Sequence, residues 1–472
     1  MAETSASKLS KRIHTDGSTH YKSATAPANP VEGDLWYDTS ENALKSHNGS
    51  IFVKVSAAIP TLTSVTGNIF VGVASSALTL AGTNFLTSNL VVNFVQSSDS
   101  INVDVTVTPT SDIAASVTVP SSVYNNVTGG NVVTIKVTNS DSVSSNTQNK
   151  TAAAVPSGGT VTTDGGARVH TFTSSSSLVI ASGVTIDADL LIVGGGGGGG
   201  NYLGGGGGGG AALYVQSREI SAGTYSLQVG GGGAGGASNS ADGAQGTGSY
   251  FGSDYVTTGL YARPGGMGSG HGSGAANTGG TYAEGTASTA LAGTGNGGGG
   301  AAAGASGGQG YDPTDRSVSA PSGETWTLYS NKNGGNGVAG GSHSAGGGGG
   351  ANENGTSGVN GSPYGGDGGD GIQIDIDGNN YYWGGAGGGS GGTSGGGNGG
   401  DGGLGGGGGA GTENGSGGSG GGSAINSGIA STGHAAGGNG GANSGGGGGG
   451  GSHGNFNGGN GGSGIVIVRY TL

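Results

Sequence analysis

The chain has 472 residues, 123 of them glycine, no cysteine, and a net charge of −13. Glycine buries no side chain and loses the most backbone freedom on ordering, so a conventional apolar core cannot hold most of this chain, and a disulfide or cysteine–metal framework is excluded. Only 8 glycines precede residue 156; the other 115 lie among 317 residues that also carry −11 of the charge, which argues against nucleic acid or an anionic membrane surface as partner.

The polar segment 1–23 lacks the apolar stretch of a signal peptide, and no run long enough to span a bilayer occurs. The expectation is a chain neither secreted by the general route nor inserted in a membrane. Short strands are expected at 34–39, 43–47 and 51–55, with turns at 40–42 and at Asn48-Gly49. Three such strands are too few to stand alone.

Residues 58–155 alternate in the manner of strands at 76–81, 90–96, 103–109, 112–119 and 132–138. In the last, Val133, Ile135 and Val137 share one face, and Thr134, Lys136 and Thr138 the other. Five clear strands with two more unplaced suggest a β-sandwich of immunoglobulin size.

Residues 156–472 open with strands at 168–172, 177–180 and 189–193 and close with one at 465–470. Glycine tracts lie between. Only five of the ten prolines fall here and the pattern is not Gly-X-Y, so collagen is excluded. A flexible linker would have no phase, but this sequence has one. Tyr364-Gly-Gly-Asp367-Gly-Gly-Asp370, Asn398-Gly-Gly-Asp401-Gly-Gly-Leu404 and Asn457-Gly-Gly-Asn460-Gly-Gly-Ser463 all repeat every three residues. Three residues is the turn of a polyproline-II-type helix, which makes no internal hydrogen bonds. Its N–H and C=O groups need lateral partners. Packed side by side, such helices satisfy one another, and only glycine fits where they touch. Tracts 194–200, 204–210 and 445–451 are then interior helices, and the Asn, Asp and Ser of the triplets face solvent.

The tract directions follow. The strand at 189–193 runs out through 194–200, reverses at Asn201-Tyr202-Leu203 and returns through 204–210 to a strand at 211–220. The strand at 224–230 runs out through 231–236. Tract 445–451 leads to Ser452-His453-Gly454-Asn455-Phe456 and returns through 457–464. His453, Asn455 and Phe456 should therefore share the far end with Tyr202.

The runs Ala77-Leu78-Thr79-Leu80-Ala81-Gly82-Thr83-Asn84-Phe85 and Val137-Thr138-Asn139-Ser140-Asp141-Ser142-Val143-Ser144-Ser145 resemble the IPT/TIG type of immunoglobulin-like domain. Leu190-Leu191-Ile192-Val193 running into glycine, with a closing Gly464-Ile465-Val466-Ile467-Val468-Arg469-Tyr470, resembles the glycine-rich domain of bacteriophage tail-fibre proteins. Gly33-Asp34-Leu35-Trp36-Tyr37-Asp38-Thr39 followed by Ile51-Phe52-Val53-Lys54-Val55 looks like a short β module of the same proteins. That resemblance implies a virion protein, assembled in the host cytoplasm, that attaches the particle to a bacterial surface glycan or outer-membrane protein. It also implies contact with other virion tail proteins through 1–57, and a homotrimer.

The expected fold class is mainly β and irregular: an N-terminal β module (1–57), an immunoglobulin-like sandwich spacer (58–155) and a polyglycine-II lattice closed by β-strands (156–472). No catalytic, cofactor or metal constellation emerges. Gly-x-Gly-x-x-Gly motifs are expected at this composition and none ends in a phosphate-binding Lys. Asp375-Ile376-Asp377-Gly378-Asn379-Asn380 reads as a hairpin turn between strands at 372–376 and 381–383 rather than a calcium loop. The candidate recognition residues are aromatics among glycines, with their polar neighbours: Tyr202, Tyr261, Arg263, Tyr311, Trp326, Tyr329, Tyr381, Tyr382, Trp383, His453, Asn455 and Phe456. Flat rings with polar rims suit sugars or a protein loop; their alternative use is sealing the lattice edge. Rival functions are a head fibre or decoration protein without its own receptor, an ice-binding protein, and, more weakly, a depolymerase.

Overall fold

The computed structural model describes residues 20–40, 43–55, 59–75, 77–238, 240–253, 258, 260–271, 296–310, 320–340, 343–393 and 395–472. They fall into two compact units, Met1–Ala154 and Val155–Leu472.

In the first unit, strands β1 (His20–Ser23), β2 (Leu35–Asp38), β3 (Ala43–His47) and β4 (Phe52–Lys54) form one sheet in that order. The last three match the expected meander. β1 does not: it pairs parallel to β2, drawn from the polar leader, whose His-Tyr-Lys-Ser run has no apolar alternation to announce a strand. Trp36 anchors the sheet. Its ring meets Phe52 edge-on at 5.2 Å, and its Nε1 donates to the Ser23 carbonyl at 3.1 Å.

The sandwich follows. β5 (Thr61–Thr66), β7 (Leu78–Thr83) and β10 (Ala114–Val117) make one sheet; β6 (Ile69–Phe70), β8 (Leu90–Gln96), β9 (Ile101–Val107), β11 (Val132–Asn139) and β12 (Ser144–Ala153) make the other, in the order β6-β12-β11-β8-β9. One apolar core joins them, with Leu78, Leu80, Phe94, Val133, Ile135 and Val137 all fully buried. β11 buries the face its alternation marks. The strands not placed from the alternation are β5, the two-residue β6 and β12. β12 reads Ser-Ser-Asn-Thr-Gln-Asn-Lys-Thr-Ala-Ala and is exposed or half-buried until its final alanines. It takes its strand form from pairing with β11 rather than from its own pattern. A single helical turn, α1 (Ser121–Tyr124), buries Val123. Gly82 is required here because a Cβ would strike the Phe85 ring and the Thr61 carbonyl.

The second unit is built on a six-stranded sheet. Its strands are β13 (Thr160–Asp164), β14 (Ala167–Phe172), β16 (Ile186–Val193), β17 (Ala212–Ile220), β21 (Thr325–Tyr329) and β24 (Ile465–Thr471), in the order β13-β14-β24-β16-β17-β21. A second sheet orders β15 (Ser176–Ile180), β18 (Gly223–Gln228), β19 (Ser249–Phe251) and β20 (Tyr261–Ala262). β19 and β20 contact β16 on the large sheet. On the other side, Ile374, Ile376 and Trp383 join Leu191, Val193, Ile465 and Ile467 in one cluster. Burial on both faces explains why residues 190–193 of β16 and 465–468 of β24 read as unbroken apolar runs rather than alternating ones.

From this sheet the glycine tracts run outward, and the lattice is real. Tract 194–200 touches six neighbours. Its N–H groups at 194, 197 and 200 donate to the carbonyls of 211, 208 and 205; those at 195 and 198 to 247 and 244; those at 196 and 199 to 462 and 459, all at 2.9–3.0 Å. Its carbonyls at 195 and 198 accept from 265 and 268, those at 196 and 199 from 233 and 236, and those at 197 and 200 from 448 and 451, all at 2.9 Å. Every third residue addresses the same neighbour, as the polyproline-II turn demands. A Cβ at any position from 194 to 200 would fall on a neighbouring backbone, nearest its carbonyl oxygen.

The triplet residues do more than face water. Asp367, Asp401, Asn398 and Asn460 are exposed as expected, but each clamps an outer helix to the next. The Oδ1 of Asp367 accepts the Asp401 N–H at 2.8 Å, and the Oδ1 of Asp401 accepts the Ser419 N–H at 2.6 Å. The Asn398 Oδ1 accepts from Ser416 at 3.1 Å, and the Asn460 Oδ1 from Gly235 at 2.8 Å. At the lattice edge an outward N–H has no helix to meet, and a carboxylate or amide on the adjacent helix replaces it. Asp401→Ala should therefore cost about 1 kcal/mol, the value of one such bond, and Asp401→Asn much less. Hydrogen exchange at the Ser419 amide should accelerate in the alanine variant. Unchanged protection there would refute the clamp.

Candidate functional site

The lattice has two ends. One is the large sheet. The other lies beyond seven residues of tract, roughly 22 Å at the rise of this helix, where the chain reverses at Tyr202 and Leu203. Both have left-handed φ, 51° and 52°. Leu203 is buried against Ala302 and Ala345, which pins the turn.

At this end the parity argument holds. The Tyr202 N–H donates to the Phe456 carbonyl at 3.1 Å, and the Asn201 side chain donates to the same carbonyl at 2.8 Å. The Tyr202 ring lies 5.0 Å from the ring of His453 and 5.2 Å from that of His271. His271 in turn meets His343 edge-on at 6.1 Å. The His434 ring meets Phe456 at 4.8 Å, and its Nε2 bonds the His453 carbonyl at 2.8 Å. His453 Nδ1 lies 3.1 Å from Glu413 Oε1. Asn455 is exposed beside them, with φ of 67°.

Four of the chain's eight histidines thus meet one tyrosine and one phenylalanine, from five separate turns. The sequence reading found Tyr202, His453, Asn455 and Phe456 but missed His271, His343 and His434. Each stands alone in its own segment, so only the phase of its tract could have revealed it. Tyr202, His271, His343, His453 and Phe456 are all half-buried and form the face of a continuous patch. Among the described residues no group of three His, Asp or Glu side chains is placed to hold a metal ion. The patch is a surface of rings, with Glu413 as the acidic partner.

His271 carries a buried Nδ1 without a hydrogen-bond partner. Its pKa is held below the ordinary histidine value, first by burial and then by the neighbouring His343 and His453. At the sheet end, His170 is likewise depressed by burial. Its Nδ1 donates to the Gly158 carbonyl at 2.7 Å, so its Nε2 accepts from the Tyr470 hydroxyl at 2.9 Å; burial lifts that hydroxyl's pKa to about 12. Both histidines bind a proton more readily unfolded than folded. Their contribution to stability is whole above the unfolded pKa of about 6.5 and is lost as pH falls from there through the folded values. The melting temperature of the second unit should drop between pH 8 and pH 5, and His170→Gln should flatten that drop. A profile identical to wild type would refute the assignment.

The remaining described candidates lie at or beside the sheets. Trp383 is fully buried, and its Nε1 donates to the Ile374 carbonyl at 3.1 Å. Tyr381 packs edge-on against it at 5.9 Å. Tyr382 is half-buried beside them, its N–H on the Ser423 carbonyl. The expected hairpin is present as β22 (Ile372–Gln373) paired with β23 (Tyr382–Trp383), and it packs Trp383 and Tyr381 into the apolar cluster on the sheet. Trp383 is therefore a core residue with Tyr381 packed against it, while Tyr382 is half-buried outside that cluster. The reason is the apolar partner set Ile374, Ile376, Ile465 and Ile467, which no local pattern announces. Arg263 is buried too, beside the sheet, where its carbonyl accepts from Ala211 at 3.0 Å. Tyr261 lies in β20, and Trp326 and Tyr329 lie in β21, the edge strand. The Trp326 Nε1 donates to Glu324, which also pairs with Arg218 at 2.9 Å. Tyr311 lies outside the described residues.

A family model described as a glycine-rich domain matches residues 171–404. That stretch of the chain is a glycine-rich domain, from the end of β14 into the lattice. No curated protein matches the sequence. Among solved structures, the FN1–FN3 domains of chicken CNTN1 match with 12% identity over 40% of this chain and 68% of that one, at a TM-score of 0.18. At that score the likeness carries no argument, and the sandwich stands on its own strand order.

Proposed function

We propose that this chain is a non-enzymatic attachment protein, a virion tail fibre whose glycine-rich unit presents the Tyr202–His453–Phe456 patch to a bacterial surface glycan or outer-membrane protein. In this reading residues 1–57 join the chain to other virion tail proteins, as a homotrimer, and the sandwich acts as a spacer. The observation that carries it is the convergence of five distant turns into one patch of rings at the end of the lattice away from the sheet. Lateral hydrogen bonds, on six sides of tract 194–200 and four sides of 457–463, hold the tracts beneath those turns, so binding need not pay to order them. Rings with polar edges offer stacking faces together with donors and acceptors.

The test is binding of the labelled full chain to a panel of bacterial strains. Tyr202→Asn with Phe456→Ala removes two rings, and asparagine tolerates the left-handed turn. Strain-selective binding should fall at least tenfold in this variant and persist in Trp326→Ala. The opposite result would move the site to the sheet end.

A further inference from the structure

The outer helices of the lattice lack some neighbours, and beside one of them the open side forms a groove. The helix at 457–463 has four lattice neighbours instead of six. Its N–H groups at 458 and 461 donate to 236 and 233, and those at 459 and 462 to 449 and 446. Its carbonyls at 457 and 460 accept from 437 and 440, and those at 459 and 462 from 199 and 196. Among the described residues, the carbonyls of Gly458 and Gly461 meet no hydrogen-bond partner. Neither do the carbonyls of Gly235 and Gly437 on the two flanking helices, nor the N–H groups of Asn457 and Asn439. Side chains cap two groups here: Asn460 takes the Gly235 N–H, and Asn439 takes the Asn460 N–H.

Gly235, Gly437, Asn439, Asn457 and Gly458 line a groove of about 670 Å³, and Gly461 follows one turn further along the same helix. Ala234 and Gly235 form one wall, 457–460 the floor, and 437–439 with the loop 429–436 the other wall. We infer that this groove is an unfilled lattice position that takes a glycine-rich peptide in the polyglycine-II conformation, its N–H groups donating to the free carbonyls.

Three features favour that occupant. First, Gly458 and Gly461 are three residues apart, so their carbonyls repeat about every 9.3 Å, in step with a guest of the same helix type. Second, the lining is glycine, alanine, isoleucine, serine, threonine and asparagine. No charge is there to hold an ion, and no ring to stack on a sugar. Third, the size suits. At a chain spacing of about 4.8 Å and a rise of about 3.1 Å, one glycine fills roughly 60 Å³. Six residues then fit, with room for small side chains on the outer side. The arrangement is the lattice counterpart of adding a strand to an open sheet edge, where main-chain bonds supply the affinity.

The experiment titrates the full chain against a fluorescein-labelled (Gly-Gly-Asn)4 peptide and reads anisotropy. Saturable binding is expected. The same peptide with sarcosine for glycine lacks those N–H donors and should not bind. Ala234→Trp, which fills the groove from an exposed position, should weaken binding at least tenfold without moving the thermal transition. If that variant melts early, Ala430→Trp on the opposite wall serves in its place. Absence of saturable binding, equal binding of the sarcosine peptide, or full affinity in the filled variant would each overturn the inference.

Discussion

Gly207→Ala is expected to unfold the glycine-rich unit, whereas Gly422→Ala should leave it intact or slightly more stable. Neither glycine has a left-handed φ, so alanine strains neither backbone. The difference is space. A Cβ at Gly207 would fall on the Gly197 carbonyl, while at Gly422 nothing lies within 4 Å. Gly207 also donates to Gly448 at 2.8 Å and accepts from Gly387 at 2.9 Å. Pushing its helix aside breaks bonds to several neighbours at once. Overpacking costs about 1–3 kcal/mol, and each lost buried bond about 1 more. The sum approaches the whole stability of an ordinary domain. At Gly422 the remaining effect is the reduced freedom of the unfolded chain, which favours alanine by about 0.4–1 kcal/mol. Urea titration of both variants should give shifts of opposite sign. Equal shifts would mean that glycine serves backbone freedom here and not close approach.

Trp383→Ala carries the second large effect. Truncating a fully buried tryptophan costs about 3–5 kcal/mol, and here it also strands the Ile374 carbonyl that Nε1 satisfies. Trp383→Phe keeps the ring but loses that bond, so it should fall between alanine and wild type. Any binding lost in Trp383→Ala would follow from unfolding, and the variant's melting temperature and near-ultraviolet dichroism should reveal it. A wild-type melting temperature in Trp383→Ala would remove Trp383 from the core. The contrast with Tyr202 and Phe456 is direct, because their rings lie half-buried at the far end and their removal opens no closed core.

Much of this architecture is legible in the residues. The alternation of Val133, Ile135 and Val137 names the buried face of β11. The triplets centred on Asp367, Asp401 and Asn460 give the lattice its period, and the tract lengths bring Tyr202 and Phe456 to one end. These features are local or periodic, and the physics behind them acts within a few residues. β1 and β12 are not legible, because a polar strand is made by its neighbour. The lattice clamps of Asp367 and Asp401 are hidden for a related reason: the sequence shows that they face outward but not which amide lies across the next helix.

The sequence by itself determined that glycine packs here by backbone hydrogen bonding, since no other residue permits helices to approach so closely. Only the tertiary structure decided which rings are displayed and which are buried. Trp383 and Tyr202 look alike among glycines, but Trp383 lies over Ile465 and Ile467, whereas Tyr202 sits where the tracts end among histidines from other turns. Burial depends on what the rest of the chain brings to a site, and lone aromatics carry no local signal of that.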